Sequence, residues 1–224
     1  MSQKRTKHKG IAVIIALDGS AASGKGTLAK RLAAHFDLAH LDTGSLYRAL
    51  GLQLLDSQMD PENIDIDQVI SQSLTLDPAL GNDPRIRNDA VAMMASKVAA
   101  IPAVRTNLLA FQRQFSAHPP TGSGAILDGR DIGSVVLPNA PIKLFVDANI
   151  EVRAERRTKE LRDAGQSAMF RDVLREMQAR DDRDRNRDVA PLKASPNAKI
   201  IDTTFMDADA VMAEALAHIA STTS

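Results

Sequence analysis

The sequence predicts an α/β fold built on a parallel sheet, and three observations carry that expectation. Short apolar runs recur at Ile11 to Leu17, Ala39 to Leu41, Ala125 to Asp128, Ile142 to Asp147 and Lys199 to Asp202. Segments with helical spacing separate them, so strands and helices alternate. Between the first run and the first helix lies a glycine-rich stretch, Gly19-Ser-Ala-Ala-Ser-Gly24-Lys25-Gly26-Thr27.

Ile11 to Leu17 is rich in β-branched residues and bounded by Gly10 and Asp18-Gly19, as a buried parallel strand would be. Gly24 to Phe36 follows with Leu28, Leu32 and Phe36 on one helical stripe. Ala39 to Leu41 predicts a second strand, leading into a helix from about Thr43 to Leu55. The segment 60–120 interrupts the alternation. It reads as mostly helical, with Asn88 to Ala100 breaking at Pro102, where another helix can begin. A brief extended pattern, Leu74-Thr75-Leu76, precedes Pro78 and Gly81. The expected division is a core from 11–59 and 121–224, an inserted subdomain at 60–120, and a disordered arm at 1–10.

The chain has 224 residues, enough for a substantial core. Its 28 Lys and Arg balance 28 Asp and Glu. Nothing in that balance calls for a nucleic-acid or membrane partner, so an anionic ligand must be held by a local cluster of cations. There are no cysteines, which excludes disulfides and thiolate metal sites and fits a reducing compartment. The longest apolar stretch is too short to span a bilayer, and no small-residue cleavage pattern follows it. A cytoplasmic location is expected. The five histidines have no metal-ligand spacing and read as surface or core residues.

The glycine-rich stretch has the spacing G-x-x-x-x-G-K, after a strand and opening a helix, the context of a phosphate-binding loop. Glycines let the backbone wrap a phosphate, while successive N–H groups and the helix N-terminus face its oxygens. Gly19, Ser20, Ala21, Ala22, Ser23, Gly24, Lys25, Gly26 and Thr27 are therefore candidates for holding ATP, with Lys25 reaching the β- and γ-phosphates. Lys25 is expected to be exposed at the loop. Gly26 occupies the usual Ser/Thr position, so Thr27 takes the hydroxyl role one residue later. That Gly-Lys-Gly-Thr form resembles nucleoside monophosphate kinases. Asp128 ends an apolar strand before Gly129, and with Thr27 it is the candidate for Mg²⁺, directly or through water. Read alone, Asp128-Gly129 is equally a turn.

A second anion needs further cations. The chain offers Arg48, Arg130, Arg156, Arg157 and the run Arg180-Asp-Asp-Arg-Asp-Arg-Asn-Arg187. On a helix of about 100° per residue, Arg180, Asp184 and Arg187 share a face, and Asp181 and Asp182 do not. Arg180 at i,i+4 to Asp184 can hold that carboxylate while it offers an oxygen to a sugar hydroxyl. Without the phosphate loop upstream, the run reads as a solvated charged face. Thr43 reads either as the cap of the following helix or as a ligand contact.

The segments LDGSAASGKGT at 17–27, LDTGSLYR at 41–48, ASKVAAIPAVR at 95–105, LDGRDIGSVVLPNAPIKLFVDA at 127–148 and RDDRDRNRDVAPL at 180–192 together carry a closer resemblance. Over nearly its whole length the chain resembles bacterial cytidylate kinases. The resemblance implies a five-stranded parallel P-loop kinase core, with 60–120 as the monophosphate-binding subdomain and a short lid at about 149–167. It implies transfer of a phosphoryl group from ATP, with Mg²⁺, to CMP and dCMP. Thr43, Arg48 and Arg130 would lie near the acceptor phosphate. Ser96, Arg105 and Asp131 would read the cytosine, Arg180 and Asp184 would hold the sugar, and Arg187 would lie between phosphate and base. Lys25, Arg130, Arg156 and Arg157 would be catalytic, with Arg153 in the same lid set, unpaired until phosphates arrive. A monomer is expected. Two departures stand out. Ser20 and Ala22 replace a frequent Pro and Gly, which implies that Ala22 needs no positive φ. The segment 73–89 is also short, which puts a sheet in the insert in doubt.

Overall fold

Five strands lie side by side in a computed structural model that describes residues 13–186 and 189–223. They are β1 (Ile14–Gly19), β2 (Ala39–Asp42), β3 (Ala125–Gly129), β4 (Ile142–Asp147) and β5 (Lys199–Asp202). Their order is β2-β3-β1-β4-β5, and every neighbouring pair is parallel. This is the expected α/β class. The arm at 1–10 and Arg187 lie outside the described residues.

Alternation along β1 explains why it reads as a continuous apolar run: both faces are covered. Ile15 and Leu17 pack with Leu28 and Leu32 of α1 (Lys25–Phe36) on one face. Ala16 faces the other way, toward Leu127, Ile132 and Val136. The helix Thr43–Asp56, α2, follows β2. Its cap corrects one reading: Asp42, not Thr43, is the N-cap, accepting from Ser45 N. Thr43 is already helical, and its buried hydroxyl donates to Asp128 O at 2.8 Å.

The segment 60–120 holds α3 (Ile66–Leu74), tight turns at Pro78–Asn82 and Pro84–Arg87, α4 (Asp89–Val98) and α5 (Pro102–Ala117). It contains no strand among the described residues. The extended pattern at 74–76 is instead a helix end, because Leu74 closes α3 and Thr75 N bonds back to Gln72 O. Leu46, Leu50 and Leu54 of α2 share a core with Val69, Met94, Val98, Val104 and Leu108. At Gly51, a Cβ would stand 3.1 Å from both Ala95 N and Val91 O, so glycine sets the close approach of α2 to α4.

Two further helices, α6 (Ile150–Asp163) and α7 (Phe170–Asn186), follow β4, and α8 (Ala208–Thr223) follows β5. Because the sheet is parallel, all its carboxyl ends lie along one edge. Asp42 stands beside Asp128 there, and Asp147 beside Asp202. Ligands of open parallel sheets bind outside this edge.

Candidate active site

At the end of β1 the chain turns under tight constraint. A Cβ on Gly19 would fall 2.0 Å from Val146 O. The loop then reaches α1 through Gly24, an N-cap at φ 91 with no side-chain cap bond. The first N–H groups of α1 are thus left for a ligand. A Cβ on Gly24 or Gly26 would meet nothing within 4 Å, so the space above them is open. One expectation is overturned: Ala22 has φ 58. The loop keeps the left-handed turn without the glycine that would make it free, at a cost of roughly 1 kcal/mol.

Side chains from the frame take up the loop's carbonyl groups. Thr203 Oγ1 donates to Ser23 O at 2.9 Å, and Arg153 Nη1 donates to Ala21 O at 3.2 Å. Ser23 Oγ donates to Ser20 O at 3.0 Å, and the Ser20 hydroxyl donates to the Asp147 carboxylate.

Lys25 is not the freely exposed residue the sequence implied. Its Nζ lies 3.5 Å from Asp128 Oδ1, and its side chain is 16% exposed. Burial pulls its ammonium below the ordinary value, with Asp128 opposing. Asp128-Gly129 is no turn, since both residues belong to β3. Burial pushes the Asp128 carboxyl up, but Lys25, His40 and Arg130 outweigh it and hold the carboxyl below its ordinary value. His40 Nε2 lies 2.9 Å from Asp128 Oδ2. Reading the histidines as filler missed this contact, and only the pairing of β2 with β3 reveals it.

Across the edge stand the residues expected to meet an acceptor. Arg130 Nε lies 3.1 Å from Asp184 Oδ2. Arg180 Nε lies 3.9 Å from the same oxygen and, among the described residues, has no hydrogen-bond partner although it is buried. Burial, then the charge of Arg130, lowers the Arg180 guanidinium to about 10. Arg48 Nη1 donates to Ile86 O at 2.8 Å, and burial lowers it too. Arg105 forms a tight ion pair with Asp131, and it also donates to Ala99 O at 3.3 Å, at the end of α4, the helix that carries Ser96. The solvated-face reading of 180–187 holds only for part of the run. Asp182 and Arg183 are exposed, whereas Asp181 and Asp184 are sequestered in ion pairs.

Asp18 is a second residue that sequence reasoning missed. It accepts from Ile132 N at 2.7 Å and Gly133 N at 2.8 Å, holding the short turn that follows Asp131. Burial pushes its carboxyl up to about 6, against the two backbone bonds. A carboxylate closing an apolar strand was the available signal.

The arginines expected of a lid are not unpaired. Arg153 is buried and paired with Asp181 at 2.6 Å. Arg156 donates to Thr203 O at 2.7 Å, and Arg157 lies 3.1 Å from Glu160 and 3.9 Å from Asp89. A long planar guanidinium on a helix finds local acceptors before any ligand arrives.

Thr27 and Asp128 offer oxygen donors that suit a hard cation. Among the described residues, no group of three acidic or His side chains could hold a metal. A cation here would take its remaining ligands from phosphate and water. The whole arrangement, an N–H-lined loop facing a bank of cations, can hold two phosphorylated ligands end to end.

A family model described as cytidylate kinase matches residues 15–221. A cytidylate kinase of Paramagnetospirillum magneticum is 51% identical over 211 residues, 94% of this chain and 99% of that one. One of Nitrobacter winogradskyi is 50% identical over 209 residues, 93% of this chain and 96% of that one. Among solved structures, an uncharacterized protein from Eubacterium ventriosum aligns over 94% of this chain and 99% of its own with a TM-score of 0.55. At 16% identity it shares the fold alone.

Proposed function

The chain belongs to the cytidylate kinase family, and from that premise we propose that it moves the γ-phosphoryl group of ATP onto CMP and dCMP. An acceptor phosphate oxygen attacks the γ-phosphorus in line, a new P–O bond forms, and the bond to the β-phosphate oxygen breaks as ADP leaves. No general base is required. A phosphate monoester has a second pKa of about 6, so the attacking oxygen is already largely ionised at neutral pH.

The first problem is repulsion between two anions. Residues 19–27 hold the ATP phosphates through backbone N–H groups, and Lys25 and Arg130 offset the charge that moves in the transition state. Thr27 and Asp128 would hold Mg²⁺, which would supply positive charge beside the phosphates; in the structure Lys25 and His40 engage the two oxygens of Asp128. Segment 60–120 serves as the acceptor subdomain. From outside that segment, Thr43, Arg48 and Arg130 meet the acceptor phosphate, and Arg180 and Asp184 meet the sugar. Segment 149–167 serves as the lid. Arg156 and Arg157 exchange Thr203, Glu160 and Asp89 for phosphate oxygens when it closes, excluding water as a rival acceptor. The enzyme acts as a cytoplasmic monomer on small nucleotides.

The observation that carries the base assignment is the Arg105–Asp131 pair beside the end of β3. A carboxylate only accepts, which suits the N4 amine of cytosine and repels O4 of uracil; a guanidinium only donates, which suits O2 or N3. Ser96 adapts by rotating its hydroxyl. A hydroxyl acceptor would need a base, whereas a phosphate acceptor does not. A coupled ADP-release assay with CMP, dCMP, UMP, AMP and a hydroxy acid tests the reading. CMP and dCMP should be used best. Slow ATP hydrolysis indifferent to acceptor would overturn it in favour of a nucleotide-dependent switch.

A further inference from the structure

Arg153 is 1% exposed, and its partner Asp181 is 6% exposed. The guanidinium makes four hydrogen bonds at once, and Nε also lies 3.7 Å from Asp147 Oδ1. Nη2 meets Asp181 Oδ2 at 2.6 Å, Nη1 meets Asp181 Oδ1 at 3.3 Å and Ala21 O at 3.2 Å, and Nε donates to Ala148 O at 2.8 Å. One side chain thus ties α6, α7, the end of β4 and the phosphate loop together. Ala21 and Ala22 also pack against Ala154, Val173 and Met177 of the same two helices.

The contact with Ala21 O falls beside the one non-glycine residue of the loop with positive φ, Ala22 at 58. A trans peptide is planar, with its C=O and N–H on opposite sides. Anchoring Ala21 O against α6 therefore turns the Ala22 N–H the other way, into the open side of the loop. Alanine disfavours this conformation, so an external restraint has something to hold. We propose that Arg153, fixed by Asp181, is a positioning residue that holds the Ala21–Ala22 peptide with its N–H toward the donor phosphates. The inference rests on the ATP-binding role proposed for the loop. It differs from a lid arginine's role, because Arg153 never touches the ligand.

The test is equilibrium dialysis with ATP alone, beside steady-state KM values for ATP and CMP, on Arg153→Lys with and without Ala22→Gly. Lysine keeps the charge opposite Asp181 but cannot reach Ala21 O as well. Its loss should raise the ATP Kd about tenfold, the scale of one hydrogen bond to a charged group. The CMP KM should move less than about twofold, a change too small to signal a lost contact. Adding Ala22→Gly, which needs no restraint, should recover about fivefold, equivalent to the cost of a left-handed alanine. If Arg153→Lys does not fold, the double variant Arg153→Met with Asp181→Leu leaves no buried charge alone and reads the same effect. Three outcomes overturn the inference: ATP and CMP weakening equally, ATP affinity unchanged while stability falls, or no rescue by glycine. Wild-type protein that fails to bind ATP also overturns it. If wild type binds ATP but phosphorylates no nucleotide, the proposed activity falls while the dialysis still decides the role of Arg153.

Discussion

On the proposed donor side, the Ala21 and Ser23 carbonyls are taken by Arg153 and Thr203, side chains from outside the loop. On the acceptor side, Arg105 and Arg130 are taken by Asp131 and Asp184, carboxylates that belong to the site itself. These bonds form without any ligand, so under the proposed function the N–H groups of the loop would need no rearrangement. The acceptor groups satisfy one another and must open or share those bonds when a nucleotide enters. Such an exchange favours only a ligand that replaces every lost bond, because an unpaired buried polar group is costly. Under the proposed function, donor recognition is expected to be general to phosphate and acceptor recognition selective for a base.

The largest expected effect tests the donor half. Lys25→Met should lower kcat by at least about 100-fold, the scale of removing one transition-state donor. Circular dichroism should show the fold retained. Near-wild-type turnover would mean that the loop's lysine is not part of the transfer.

Asp18 joins the two halves, since it leaves β1 at the base of the loop and grips the turn after Asp131. Its carboxyl is raised to about 6 from 3.8, so the unfolded chain loses this proton first as pH rises. Stability from the protonated form is full below the unfolded value and is lost as pH climbs through the folded one. At about 1.4 kcal/mol per unit, the loss approaches 3 kcal/mol. Asp18→Asn cannot titrate. Urea unfolding of both proteins should show wild type losing that amount relative to the variant between about pH 4 and pH 7. A constant gap would show that Asp18 stays ionised.

A smaller effect tests selectivity. Wild type should prefer CMP to UMP by at least about tenfold in kcat/KM, the low end of a hydrogen-bond mismatch. Asp131→Asn should narrow that ratio, because an amide can turn its NH₂ toward O4 of uracil. If the ratio does not move, Asp131 only pairs with Arg105 and shapes the site. The smallest effect is expected at Gly51→Ala. Crowding of α4 against the gain of a better helix former should cost about 1 kcal/mol net. It should raise the KM for CMP and leave that for ATP alone. Equal changes in both would show the two halves to be coupled through α2.

The sequence by itself determined the alternation of strands and helices, the phosphate loop and the positions of the arginines. These are contiguous signals: a two-residue or helical period, or a run of glycines with one lysine, is visible wherever it occurs. It also misjudged Ala22, because a left-handed turn is imposed by what surrounds the loop and not only by the residue in it. Spacing foretold the i,i+4 approach of Arg180 to Asp184, but which charges distant in sequence meet was decided by the tertiary structure alone. Asp18 reaches Gly133 and His40 reaches Asp128 only after parallel pairing brings the strand ends to one edge, and Arg153 reaches Asp181 only when α6 packs on α7. The partner an arginine finds far along the chain depends on distance and burial in the folded protein, and neither is encoded in the spacing of its neighbours.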